Sequence, residues 1–179
     1  MKLLAIVERV DNAIGVRVHP AMVPISHPLA SVRESYNAVF IEGDAVGNLM
    51  FYGRGAGGFP TASAVLGDLI DAAANLTKGS SATIGTLASL PIRPIDDATS
   101  EYYLNLEVAD KPGVLAAVAG VFGRHDVSIR TMEQEGLGDE ARLIFITHRA
   151  REAGVQATLR DLRELDVVDR VVSLMRVIE

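Results

Sequence analysis

Residues 100–179 switch between two hydrophobic periods, and that switching constrains the fold more than any other feature. YYLNLEVAD (102–110) places its apolar residues at alternate positions, as a strand with one buried face does. Pro112 and Gly113 then open VLAAVAGVFGRHD, where Val114, Leu115, Val118, Val121 and Phe122 share one helical face. VSIRTMEQEG reads as a strand, LGDE as a turn and ARLIFITHR as a strand. REAGVQATLRDLRELD is a second helix, with Val155, Leu159, Leu162 and Leu165 inward, and VVSLMRVIE closes as a strand. The order is βαββαβ, a split βαβ arrangement. It predicts four antiparallel strands with both helices on one face, the other face being solvated or paired.

The residues before this block read differently. KLLAIVERV and IGVRVHP are two β-like runs around Asp11 and Asn12. HPLASVRES (27–35) is a short helical or irregular patch. YNAVFIEG and AVGNLMFYG flank Gly43–Asp44 as a hairpin. From Pro60 to Leu76, Ala62, Val65, Leu66, Leu69, Ala72, Ala73 and Leu76 recur at helical spacing behind a first-turn proline. Residues 77–100 are rich in Gly, Ser, Thr and Pro without lasting periodicity, and read as a linker. The domain expectation is therefore 1–76, a linker over 77–100, and 101–179.

Composition excludes several classes. A net charge of −6 argues against a nucleic-acid partner. The chain has no cysteine, which removes disulfides and zinc–thiolate sites and fits a reducing cytoplasm. Its four histidines show no metal-ligand spacing, so no metal is expected. Glu8 and Arg9 interrupt the first apolar run too early for a signal peptide, and no stretch has the length of a membrane span.

Two stretches carry chemistry. Gly53, Arg54, Gly55, Ala56, Gly57 and Gly58 stand directly before the first helix. Glycines permit positive φ and close ligand approach, and a helix start presents unpaired N–H groups to an anion or a carbonyl oxygen. A tight hairpin-to-helix turn with no ligand explains the same residues, and the residues alone leave both readings open. The second stretch is Asp110–Lys111–Pro112–Gly113–Val114–Leu115, a strand-to-helix loop. Helix-start N–H groups there suit a carboxylate, and Asp110 suits an ammonium group. Capping of the helix by Asp110 is the ligand-free reading. His27 before Pro28 reads first as a capping residue, Arg54 as a solvated cation, and the Glu42–Asp44 pair as a solvated turn.

KLLAI (2–6), VRVHP (16–20), SHPLASV (26–32), NAVFIEGD (37–44) and FYGRGAGGFPTASAVLGD (51–68) resemble the C-terminal end of the catalytic region of homoserine dehydrogenase. DKPGVLAAVAGVFGRHDVSIRTMEQEG (110–136) and ARLIFITHRA (141–150) resemble an ACT domain, the ferredoxin-like module that binds small ligands. The resemblance implies an α+β chain: a partial mixed α/β catalytic segment followed by a βαββαβ ACT domain. It implies the NAD(P)-dependent interconversion of L-homoserine and L-aspartate 4-semialdehyde in the intact enzyme. Gly57 matches a position that contacts the nicotinamide cofactor, with Thr61 and Gly55 beside it, and His27 falls near the active-site mouth. The ACT match implies an effector site at Asp110, Gly113, Val114 and Leu115. Ser128 and Arg130 would line a partner subunit's side of it. L-threonine or another small amino acid is the implied effector, and a dimer the implied assembly.

The chain departs from the family in one respect. Its first segment shows no strand–GxGxxG–helix unit with an acidic residue about 20 residues on, as a dinucleotide fingerprint has. Its three lysines, Lys2, Lys78 and Lys111, lie outside the family's catalytic motif. The expectation is a piece of a larger enzyme, with no catalytic residue of its own, no cofactor bound alone and no activity alone. A non-enzymatic ACT-type regulatory or dimerisation module is the alternative.

Overall fold

The computed structural model describes residues 1–81, 85, 87–136 and 140–178. The chain divides into two compact units, Met1–Pro24 with Leu90–Glu179, and Ile25–Ser89.

In the first unit, β5 (Thr99–Ala109), α2 (Val114–Arg124), β6 (Ile129–Gly136), β7 (Glu140–Thr147), α3 (Glu152–Arg163) and β9 (Val168–Val177) follow the expected βαββαβ order. The two-residue strand β8 (Ala150–Arg151) pairs with the start of β5. The alternation in β5 buries Tyr102, Leu104, Leu106 and Val108 on one face. These pack with Leu143 and Phe145 of β7, Val118, Val121 and Phe122 of α2, and Leu159 and Leu162 of α3. Both helices therefore cover one face, as the period switching requires. Leu137, Gly138 and Asp139 of the expected LGDE turn lie outside the described residues.

The sheet is larger than expected. β1 (Lys2–Val10) and β2 (Ala13–Met22) form an antiparallel hairpin, and β2 joins β9 in parallel through Ala21↔Arg176 and Met22↔Val177. The strand order is β1-β2-β9-β5-β7-β6. This corrects the 1–76 grouping: the first hairpin shares a sheet with residues 99–177. The expected linker is also partly structured. Ile14 exchanges backbone hydrogen bonds with Pro91 (2.9 Å) and Arg93 (2.9 Å), a 3-10 turn spans Ile95–Asp97, and β5 starts at Thr99. The physical reason is that strand periodicity marks a buried face but not which distant edge a strand will join.

The second unit contains β3 (Tyr36–Gly43), β4 (Gly47–Arg54) and α1 (Gly58–Lys78). β3 and β4 form the expected hairpin, a separate two-stranded sheet. α1 starts two residues before Pro60. It ends on Gly79 in the left-handed region, with Gly79 and Ser80 donating to Leu76 and Asn75. Its apolar stripe is exposed: no α1 residue is buried, and Phe59, Leu69 and Ile70 are 94%, 62% and 66% exposed.

Candidate functional site

In the second unit, the glycine run connects β4 to α1. Gly57 is the N-cap at φ 124°, where an L side chain is strained, and no side chain caps the helix. Thr61 donates its backbone N–H to the Gly57 carbonyl at 3.1 Å, which closes the first turn. Pro60 has no N–H, so the Gly58 and Phe59 amides are the donors this helix start has to offer. A Cβ at Gly58 would meet nothing within 4 Å, so the backbone there is open to close approach. Gly55 has a different reason to be glycine: the Asn37 carboxamide occupies the space of its missing side chain. Arg54 stacks 5.0 Å over the Tyr36 ring, which itself stacks on Tyr52. His27 caps the Pro28–Ser31 turn, its Nδ1 accepting from the Leu29 N–H at 3.1 Å, with Phe40 edge-on at 4.8 Å. The capping reading of His27 is thus what its contacts show.

In the first unit, a pocket lies where β5 gives way to α2. Asp110, Gly113, Val114 and Leu115 line it, with Lys111, Val108, Gln134 and Leu143. Gly113, at φ 89°, is the N-cap of α2, and no side chain caps the helix, so the Asp110 carboxylate is not spent on capping. The pocket therefore combines a helix start and an ammonium with a carboxylate, the complement of an amino-acid zwitterion.

Sequence reasoning missed Gln134, and expected Ser128 and Arg130 on a partner subunit's side of the site. β6 runs antiparallel to β7, with Gly136↔Ala141 at the pocket end and Ile129↔Thr147 at the other. A Cβ at Gly136 would lie 3.4 Å from Asp110 Oδ2, which marks the pocket end of the strand. Ser128 and Arg130 belong to the far end and do not line this chain's own pocket. Arg130 donates there to both Glu101 oxygens at 2.8 Å.

A buried polar cluster also went unpredicted. Glu152, 3% exposed at the start of α3, accepts from Tyr102 Oη (2.8 Å), Arg176 Nε (3.0 Å) and Nη2 (2.6 Å), and Gln156 Nε2 (2.7 Å). Burial alone would raise its pKa, but the hydrogen bonds from Gln156, Tyr102 and Arg176 outweigh it and hold the carboxyl below its usual range. Burial, and the bond to Glu152, push the Tyr102 phenol up. The available signal was the spacing Glu152, Val155, Leu159, Leu162, which puts a carboxylate on the inward face of a helix. Among the described residues, no group of three or more His, Cys, Asp or Glu side chains is placed to hold a metal.

The homoserine dehydrogenase family matches residues 1–70, and the ACT domain family matches residues 102–167. The chain is a homoserine dehydrogenase-like segment with an ACT domain. It is 48% identical over 182 residues to the homoserine dehydrogenase of Corynebacterium glutamicum, covering 98% of this chain and 41% of that protein. For the Mycobacterium bovis homoserine dehydrogenase the identity is 47% over 188 residues, covering 98% and 43%. A crystal structure of a Thiobacillus denitrificans homoserine dehydrogenase superposes with a TM-score of 0.91 at 36% identity, over 99% of this chain and 42% of that one. The chain thus spans about two fifths of the length of the relatives it matches. The homoserine dehydrogenase match includes the β1–β2 hairpin, which in space belongs to the sheet of the ACT strands. Among the described residues, no helix is long and apolar enough to cross a membrane.

Proposed function

We infer that this chain is the C-terminal portion of a cytoplasmic NAD(P)-dependent homoserine dehydrogenase of threonine and methionine biosynthesis. The observation that carries the reading is the glycine run of residues 53–58, with Gly57 at φ 124° and an open backbone at Gly58, set before α1 in a chain so similar to named homoserine dehydrogenases. The residues fit the polar end of a nicotinamide cofactor: the Gly57–Gly58 main chain and the first-turn amides near Thr61 would hold it. When bound, the cofactor accepts or donates the hydride that interconverts L-homoserine and L-aspartate 4-semialdehyde. Gly55 supports that contact indirectly, by letting Asn37 pack against the loop. Lys2, Lys78 and Lys111 do not match the family's catalytic lysine, so no activity is expected of the chain alone.

The pocket at Asp110 is the sensor. A small amino acid would place its carboxylate on the α2 start at Gly113 and its ammonium on Asp110, and Gln134 would meet the side chain. A threonine side chain suits Gln134, because a carboxamide can both donate to and accept from its hydroxyl. β6 is an edge strand. Antiparallel pairing of two β6 edges in a dimer would bring Ser128 and Arg130 of one copy toward the Gln134 end of the other. Because this pocket lies within the first unit, beside its buried core, a non-enzymatic regulatory module is the second reading.

Fusing the chain behind the part of the Corynebacterium glutamicum relative that it does not match tests both readings. The enzyme reading predicts homoserine-dependent reduction of NADP+ or NAD+ by the fusion, inhibited by L-threonine, and none by the chain alone. A folded fusion without activity would favour the regulatory module.

A further inference from the structure

We propose that His19 is an acid-sensitive latch: while neutral it lets the β1–β2 hairpin dock on β9, and on protonation it releases the hairpin. The docking seam is short. It consists of the parallel pairs Ala21↔Arg176 and Met22↔Val177, and the Ile178 N–H donating to the Met22 carbonyl at 3.0 Å. Backbone bonds to β9 are few, and the hairpin's other backbone bonds to the unit lie at its far end, between Ile14 and Pro91 and Arg93. The side chains beneath the seam therefore weigh heavily in whether it holds. Ala21 is fully buried there, and His19 is 8% exposed.

The protonation state of His19 follows from its contacts. Nδ1 lies 3.0 Å from the Pro20 carbonyl, which can only accept, so Nδ1 carries the proton of the neutral ring. Nε2 is then a bare lone pair, buried and without a hydrogen-bond partner. The charged groups around the ring are Arg17 on β2, Arg176 on β9 and Glu152 on α3, with the Tyr102 phenol of β5 bonded to Glu152. Glu152 already accepts from Tyr102, Gln156 and both Arg176 nitrogens. A proton on Nε2 would therefore create a buried donor without an acceptor, beside two guanidinium groups. Releasing the hairpin returns the imidazolium to water.

Burial lowers the pKa of His19, the Pro20 bond opposes this, and Arg176 and Arg17 lower it further against Glu152. An imidazole with a lowered pKa binds fewer protons docked than released. Docking is thus at full strength above the ordinary histidine value and weakens as pH falls below it. The latch has a consequence for regulation: the hairpin lies within the homoserine dehydrogenase match, whereas β9 completes the sheet of the ACT strands.

Hydrogen exchange of the whole chain between pH 7.5 and 5.5 tests the latch, after correction for intrinsic exchange. Protection of the Ile178 amide, relative to the Leu104 and Leu106 amides, is expected to fall as pH drops below the ordinary histidine value, by at most about tenfold. H19N keeps a donor near the Pro20 carbonyl but does not titrate, and its Ile178 protection is expected to stay level across the range. An equal fall in H19N, a level response in the native chain, or a parallel loss at Leu104 and Leu106 would each overturn the latch. If H19N fails to fold, NMR titration of His19 in the native chain decides: a pKa at or above the ordinary histidine value overturns the proposal, and a lower one that moves with the Ile178 signal supports it.

Discussion

The two units solve the same packing problem to different degrees. In the first unit, β5, β7, α2 and α3 close a core around Leu106, Val121, Phe145 and Leu162, all essentially inaccessible to water, while Leu3, Val7 and Val18 of the β1–β2 hairpin stay exposed. In the unit built on β3, β4 and α1, the periodicities are as clear, yet α1 buries nothing and Phe51 of β4 is 64% exposed. A two-stranded hairpin and one helix do not make an independent core. The contrast shows that regular local structure and a closed core are separate achievements. It also matches the proposed division of labour, a self-contained sensor beside a segment whose chemistry needs further residues.

The largest test of this contrast compares the same kind of truncation in each unit. Phe145→Ala should cost about 3–5 kcal/mol of the first unit's stability, because it leaves a cavity against Phe122. Leu69→Ala on α1 should change stability by no more than about 0.5 kcal/mol. Denaturant unfolding of both variants measures this, and equal costs would erase the contrast.

Glu152→Ala comes next. It strands Tyr102 Oη and the Arg176 guanidinium in a buried place and should destabilise the first unit by roughly 3 kcal/mol. Thermal unfolding of the variant would show it, and a neutral result would mean that water reaches the cluster.

A smaller effect separates two adjacent glycines. Gly57→Ala meets a φ of 124° and should cost about 1–3 kcal/mol, whereas Gly58→Ala has open space and no such φ, and should cost less than about 1 kcal/mol. Equal costs would mean that the loop relaxes freely, which would weaken it as a preformed contact for a cofactor.

The smallest effect is the pH dependence of the first unit. His125, and Arg124 further off, hold the Asp161 carboxyl below its usual range, and Glu152 is also lowered. Both carboxylates favour the folded state when ionised. Their contribution is fully present above the ordinary carboxylate range and is lost as pH falls from it down through their lowered folded values. A melting temperature that falls on acidification below that range checks the sign, and Asp161→Asn should flatten part of the slope.

Much of this architecture is legible in the sequence where the information is local. The alternation of Tyr102, Leu104, Leu106 and Val108 and the spacing of Val114, Val118, Val121 and Phe122 name both the element and its buried face. The near wall of the pocket was legible for the same reason, since Asp110 to Leu115 are consecutive. What failed was non-local. No periodicity tells β2 that its partner is β9, so the hairpin was grouped with the wrong neighbours. The same limit hid Gln134, because the strand end that meets Asp110 depends on the β6–β7 register. Gly55 was read as a turn or cofactor residue, and its fit against Asn37 requires knowing that β3 and β4 pair at Asn37↔Gly53.

The most direct measurement is calorimetric titration of the purified chain with L-threonine, with L-serine and L-isoleucine as controls. A complete sensor in the first unit predicts saturable binding selective for L-threonine, lost when Asp110 is changed to Ala. A folded chain that takes up no L-threonine would contradict the claim that this unit holds a working sensor by itself.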